Sequence, residues 1–267
     1  MSTSAPQEGS LLARFREAKQ GEIGFLHSEL AKGRIPARFE GARPPFASRL
    51  KERGPGALIA EFKRASPSMG DINLELAPEE AAELFAGEGA ACMSVLTEER
   101  HFKGTLDYLV QCAGAGLPLL RKDFLFDPLQ VALTAASPAS AFLLIVRMFD
   151  SADELAQMVG IGRAAGLEAV VEIFDERDLE LARAAGSEII QVNSRDLDTL
   201  AVDAANQRRL VADRAPSEAW IAASGVKTPD DVREMAGLGY DAVLVGTAIM
   251  RAENIGAKVR ELAEAAK

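Results

Sequence analysis

The sequence predicts an α/β chain folded as a (β/α)8 TIM barrel with an N-terminal helical extension. Three observations lead there. The 267 residues suit one barrel of this class, which takes about 250. Eight apolar runs of strand length recur, most of them apolar at consecutive positions, as in parallel strands buried on both faces. Amphipathic helical stretches with recognisable starts separate the runs.

In chain order, residues 11 to 33 place Leu11, Leu12, Phe15, Ile23, Phe25, Leu26 and Leu30 among charges at helical spacing. Residues 34 to 45 hold Pro36, Pro44 and Pro45 and read as a connector. A short helical piece, Phe46 to Arg53, leads to Gly54-Pro55-Gly56 and the opening strand. Residues 1–47 are therefore expected to form an extension packed on a barrel of residues 48–267, one domain overall, with no second catalytic domain fused to it. Strands are expected at 57–62, 92–96, 118–121, 142–146, 169–173, 188–192, 219–222 and 242–245. The intervening helices announce themselves by their first turns. Pro78-Glu79-Glu80 brings proline and acids to a start, and Ser151 with Glu154 has capping-box spacing. Thr228-Pro229-Asp230-Asp231 reads as cap, proline and acids. No Gly-x-Gly-x-x-Gly follows a strand, which argues against an open dinucleotide-binding sheet. The units share no obvious repeat, which argues against a solenoid.

Composition narrows the function. A net charge of −10 disfavours nonspecific binding to nucleic acid or an anionic membrane. No apolar run reaches the 18 or so residues that span a bilayer, and the polar start lacks a signal-peptide core. Cys92 and Cys112 are too few for a disulfide framework and read as small buried thiols. His27 and His101 lack metal-ligand spacing. A cytoplasmic enzyme without a metal is the expectation.

Active sites of these barrels lie at the C-terminal ends of the strands. Those ends carry Glu61 and Lys63, Thr97-Glu98, Lys122-Asp123, Glu172, Asn193-Ser194-Arg195-Asp196, Ser224-Gly225 and Gly246-Thr247. Side chains two apart on a strand share a face, so Glu61 and Lys63 project side by side. One charged strand end is explained by a structural ion pair; several converging on one rim point to a site. Ser-Gly and Gly-Thr at the last two strand ends suit a phosphate group, since glycine admits close backbone approach and the hydroxyls donate. Lys122 follows the apolar Pro118-Leu119-Leu120 and is placed for general acid work, and Glu172 among valines and isoleucine for a base. A structural salt-bridge ring is the plainer alternative for both.

The segments IAEFKRASPS (59–68), SVLTEE (94–99), Phe102-Lys103-Gly104, LLRKDF (119–124), Val171-Glu172-Ile173, VNSRDL (192–197), Ser224-Gly225-Val226 and LVGTAIMR (244–251) resemble indole-3-glycerol-phosphate synthase, in family order from about Ser10 to the C-terminus. The resemblance implies ring closure, decarboxylation and dehydration of 1-(2-carboxyphenylamino)-1-deoxyribulose 5-phosphate in tryptophan biosynthesis, with no cofactor and no metal. By the same resemblance Lys122 is the acid in ring closure, Lys63 with Glu61 serves the dehydration, and Glu172 is a further catalytic carboxylate. Asn193 completes the catalytic group, and Arg195 with it orients the sugar hydroxyls. Ser66, Ser224, Gly225, Gly246 and Thr247 hold the phosphate, and Leu96, Phe102, Leu120 and Phe124 wall the anthranilate ring. Implied partners are the phosphorylated small molecule and contacts with other tryptophan-pathway enzymes, the protein being a monomer or weak homo-oligomer.

One position departs from the family pattern. Strand seven usually ends Glu-Ser-Gly, whereas this chain reads Ala223-Ser224-Gly225. The competing expectations are a phosphoribosylanthranilate isomerase-like sugar-phosphate enzyme and a noncatalytic barrel that binds a phosphorylated ligand. The first would want a thiol or carboxylate base where this chain has Glu-Phe-Lys. The second rests on Ala223 alone.

Overall fold

The computed structural model describes residues 10–195 and 203–266. Asp196 and Leu197, named above among the motif residues, lie outside them. Eight parallel strands close into a barrel: β1 (Ala57–Phe62), β2 (Cys92–Leu96), β3 (Leu119–Lys122), β4 (Ala141–Ile145), β5 (Glu168–Ile173), β6 (Ile189–Asn193), β7 (Ala219–Ala223) and β8 (Ala242–Val245). Each pairs with its sequence neighbours and β1 closes on β8, with Ala57 opposite Ala242 and Ile59 opposite Cys92. All eight expected strands are present, with ends within one residue of those read from the sequence. Their residues are buried almost throughout, because one face fills the barrel and the other meets the helices.

A helix follows each strand, from Pro78–Gly87 after β1 to Ile255–Ala263 after β8. Thr228 and Asp231 form a reciprocal capping box with Pro229 in the first turn. The start at Ser151 differs in detail. Ser151 Oγ accepts from the Glu154 N–H, but the Glu154 carboxylate reaches the Asp150 N–H instead of the cap residue's own. Cys92 and Cys112 are buried free thiols, and burial pushes Cys112 up to about 12, which leaves it inert at neutral pH.

The extension opens with helix α1 (Leu11–Ala31), capped by Ser10, and continues to helix α2 (Phe46–Arg53). The expected boundary between residues 47 and 48 thus falls inside α2, whose Phe46 and Leu50 are fully buried. Glu168, at the start of β5, accepts from the first N–H groups of α2, Phe46 at 2.6 Å and Ala47 at 3.0 Å. The buried stripe of α1 is Leu12, Phe15, Lys19, Ile23 and Leu26. Phe25 and Leu30, expected in that stripe, are exposed: the helical period turns Phe25 away from it, whereas Leu30 keeps the period but stands in the last turn of the helix. Lys19 at the stripe's centre is 4% exposed, and its partners decide how α1 sits on the barrel.

Candidate active site

A cavity of about 720 Å³ opens at the C-terminal end of the barrel. Its polar floor is built by strand ends. Glu61 is the fifth residue of β1 and Lys63 follows the strand, with Lys63 Nζ 2.8 Å from Glu61 Oε1. Ser94 Oγ donates to Glu61 Oε2 at 3.4 Å. Burial works against ionising Glu61. The Lys63 and Lys122 ammoniums, with hydrogen bonds from Lys63 and Ser94, outweigh it and hold the carboxyl below the usual range. Glu61 is thus an anion between two cations.

Across the barrel, Glu172 is 1% exposed and receives an amide N–H on each oxygen. Asn193 Nδ2 donates to Oε1 at 3.1 Å and Gln191 Nε2 to Oε2 at 2.5 Å. Asn193 Oδ1 in turn accepts the Arg195 N–H at 3.0 Å. Glu172, Asn193 and Arg195 all line the cavity.

The Ser66-Pro67-Ser68-Met69 turn, part of a short hairpin pairing Ala65–Ser66 with Gly70–Asp71, closes one side. Ser224 and Gly225 close another. Both adopt positive φ, 64° and 85°. Serine rarely holds that conformation, and here the turn is pinned. Ser194 Oγ and Gln207 Nε2 both donate to the Ser224 carbonyl, at 3.1 and 3.3 Å. Gly246 lies against Glu61: a Cβ there would stand 2.3 Å from Glu61 Oε1, so any other residue would displace the carboxylate. Thr247 starts a short helix, Thr247–Met250, whose first N–H groups have no partner within the helix. Lys227 and Arg251 add two cations to this end of the cavity.

The opposite wall is aromatic. Phe124 stacks on Phe15 of α1 with ring centroids 3.9 Å apart, and Phe102 tilts against both at 6.2 Å. Leu96 lines the same space. Leu120, grouped with these in the sequence, is fully buried and is not part of the lining. It precedes Lys122 by two on the same strand face and packs one layer deeper.

Phe15 and Leu11 were not singled out in the sequence, and both line the cavity. The one signal that could have found them is Lys19, because a lysine within an apolar stripe needs a buried anion. It finds Asp123, at 2.8 and 2.9 Å from the two carboxylate oxygens. Arg121 Nη2 donates to Asp123 at 3.1 Å, and Thr97 Oγ1 donates at 2.6 Å. Burial opposes the charge on Asp123, but Lys19 and Arg121 hold its carboxyl below the ordinary range. Thr97 therefore belongs to a structural network. Glu98 has a structural task too, capping the helix Glu99–Phe102 through the N–H groups of Arg100, His101 and Phe102. No cluster of three or more possible metal ligands occurs among the described residues.

Known proteins resemble this chain in sequence and in fold. The family model described as Indole-3-glycerol phosphate synthase matches residues 17–262. A protein of Roseiflexus sp. (strain RS-1) with that name is 39% identical over 264 residues, covering 95% of this chain and 98% of its own. One from Desulfosudis oleivorans is 40% identical over 225 residues, covering 83% and 85%. Among solved structures, thiamine phosphate pyrophosphorylase from Pyrococcus furiosus superposes with a TM-score of 0.59 at 15% identity, over 80% of this chain and 97% of that one. That likeness concerns the fold alone. With the matched span taking in every barrel strand and most of α1, this chain belongs to the indole-3-glycerol phosphate synthase family.

Proposed function

We propose that the protein converts 1-(2-carboxyphenylamino)-1-deoxyribulose 5-phosphate to indole-3-glycerol phosphate, carbon dioxide and water, using the cavity residues in the following roles. The observation that carries this reading is the convergence of the Glu61–Lys63 pair, Lys122 and the amide-held Glu172 on one cavity, between an aromatic wall and the Ser-Gly and Gly-Thr turns. The phosphate lies at Ser66, Ser224, Gly225, Gly246 and Thr247. The anthranilate ring lies against Phe102, Phe124 and Leu96. Those two anchors bring the carboxylate-bearing ring carbon to the ketone, which is the entropic part of catalysis.

Ring closure forms a carbon–carbon bond and moves the carbonyl electrons onto oxygen. Lys122 protonates that oxygen, giving a hydroxyl. The carboxylate then leaves as carbon dioxide, and its bonding electrons restore the aromatic ring. In the last step Lys63 protonates the departing hydroxyl, which leaves as water. Glu172 takes the proton from the methylene carbon beside nitrogen, and the new double bond completes the indole. Glu61 pairs with Lys63 and aims it. Asn193 and Arg195 orient the sugar hydroxyls.

Free buried cysteines fit a reducing cytoplasm, and no helix among the described residues is long and apolar enough to cross a membrane. The protein acts as a monomer or weak homo-oligomer in contact with other enzymes of its pathway. The test is an absorbance or fluorescence assay of the purified protein with the carboxyphenylamino substrate. Indole-3-glycerol phosphate should accumulate with equimolar carbon dioxide; phosphate-ligand binding without turnover would overturn the reading in favour of a noncatalytic barrel.

A further inference from the structure

Gln191 lies beneath the catalytic groups and touches no part of the cavity. It stands on β6 two residues before Asn193, so both side chains enter the barrel from one strand face. Its backbone is in register with Glu172 on β5, and its side chain is fully buried. Gln191 and Asn193 each give one N–H to Glu172, but different things hold the two amides. The Asn193 oxygen accepts from the Arg195 N–H, which fixes Asn193 as a donor to Glu172. The Gln191 oxygen is buried and has no hydrogen-bond partner among the described residues. Its orientation is set by Glu172 alone.

We propose that Gln191 is a positioning residue whose amide serves both protonation states of Glu172. The inference rests on Glu172 being the base in the step that completes the indole. With Glu172 ionised, Gln191 Nε2 donates to Oε2. When Oε2 receives the substrate proton, a half-turn of the terminal amide brings Oε1 round to accept from the new O–H. That torsion is broad and close to two-fold. One end of the amide lacks a partner in either orientation, so the turn exchanges one unpaired group for another. No atom leaves Gln191; the proton passes from the substrate carbon to Glu172 and later to water. An acceptor-only or donor-only neighbour would match one state and oppose the other. The charged groups on the same cavity are Glu61, Lys63, Lys122, Asp123 and Arg195 across its floor, and Lys227 and Arg251 at its phosphate end. None of them is altered by a change at Gln191.

The experiment compares Gln191→Met with Glu172→Gln across pH. Methionine keeps the length of the side chain in an apolar surround and removes both hydrogen-bonding ends. Gln191→Met should lower kcat about tenfold, leave KM within about twofold, and move the acid limb of the kcat profile upward by about one pH unit, since the charge-assisted bond lost by the carboxylate outweighs the neutral bond lost by the acid. Gln191→Leu carries the same expectation should the methionine variant not fold. A kcat profile that stays in place, with only a lower melting temperature, would overturn the proposal and leave Gln191 as packing. Glu172→Gln separates the two readings. It should cost about 100-fold in kcat or more; wild-type-like turnover there would remove Glu172 as base and this inference with it.

Discussion

The Glu61 carboxylate sits between Lys63, Lys122 and Ser94, and the bare Cα of Gly246 makes room for it. Its position is therefore sensitive to one methyl group. Gly246→Ala should displace the carboxylate, loosen the Lys63 pair and lower kcat/KM about 100-fold, since an ångström of misplacement costs about that much; steady-state kinetics check it. Ala223 makes the opposite case. It ends β7 beside Asn193 and lines the cavity with a methyl group where the family pattern carries a carboxylate. Ala223→Glu should raise kcat on the order of tenfold, the worth of a charge-assisted hydrogen bond in the transition state. An unchanged or lower kcat would remove that account of the position. At this scale the polar residues were legible, because charge at the end of an apolar strand is conspicuous. Phe15 was not, because an aromatic in an amphipathic helix looks like ordinary core. Gln191 was hidden for a different reason: it lies within a strand, and nothing in sequence spacing reveals its contact with Glu172 on the neighbouring strand.

Helix α1 is fastened by charge as much as by apolar contact. Lys19, Asp123 and Arg121 are all at most 4% exposed, and Glu22 closes the group with an ion pair to Lys19 at 2.7 Å. Removing one member strands the others. Lys19→Ala should destabilise the protein by about 3–5 kcal/mol, seen in denaturant unfolding. It should also raise KM, because Phe15 would no longer be held against Phe124 and the ring wall would loosen. The pH dependence follows from both partners. Asp123 is held low, so its contribution is complete above the ordinary carboxylate value and lost as pH falls through the depressed one. Burial opposes the charge on Lys19, but Asp123 and Glu22 hold it high. Its contribution is complete below the ordinary lysine value and lost as pH rises through the raised one. The stability gap between wild type and Lys19→Ala should stay level across neutral pH and narrow below about pH 4. The barrel strands were legible because burial on both faces leaves continuous apolar runs. The seat of α1 was not, because it depends on an ion pair between residues 104 positions apart.

The whole molecule carries a net charge of −10, yet Lys63, Lys122, Arg195, Lys227 and Arg251 gather on the cavity at the C-terminal end of the barrel. A substrate with a phosphate and a carboxylate is repelled by the surface at large and attracted by that rim. KM should therefore rise with added salt while kcat changes little, as screening weakens the local attraction. A KM that does not respond to ionic strength would place substrate capture on hydrogen bonds alone. The barrel supplies the common geometry in which eight strand ends meet, and the side chains at those ends supply the chemistry. Lys122 is where the account is most exposed, since ring closure has no other assigned acid. The direct measurement is single-turnover formation of indole-3-glycerol phosphate by Lys122→Ala, with binding of the substrate measured on the same variant. Turnover lower by about 100-fold or more, with affinity within a few-fold of wild type, is the predicted result. Turnover at the wild-type rate would contradict the mechanism at its first step.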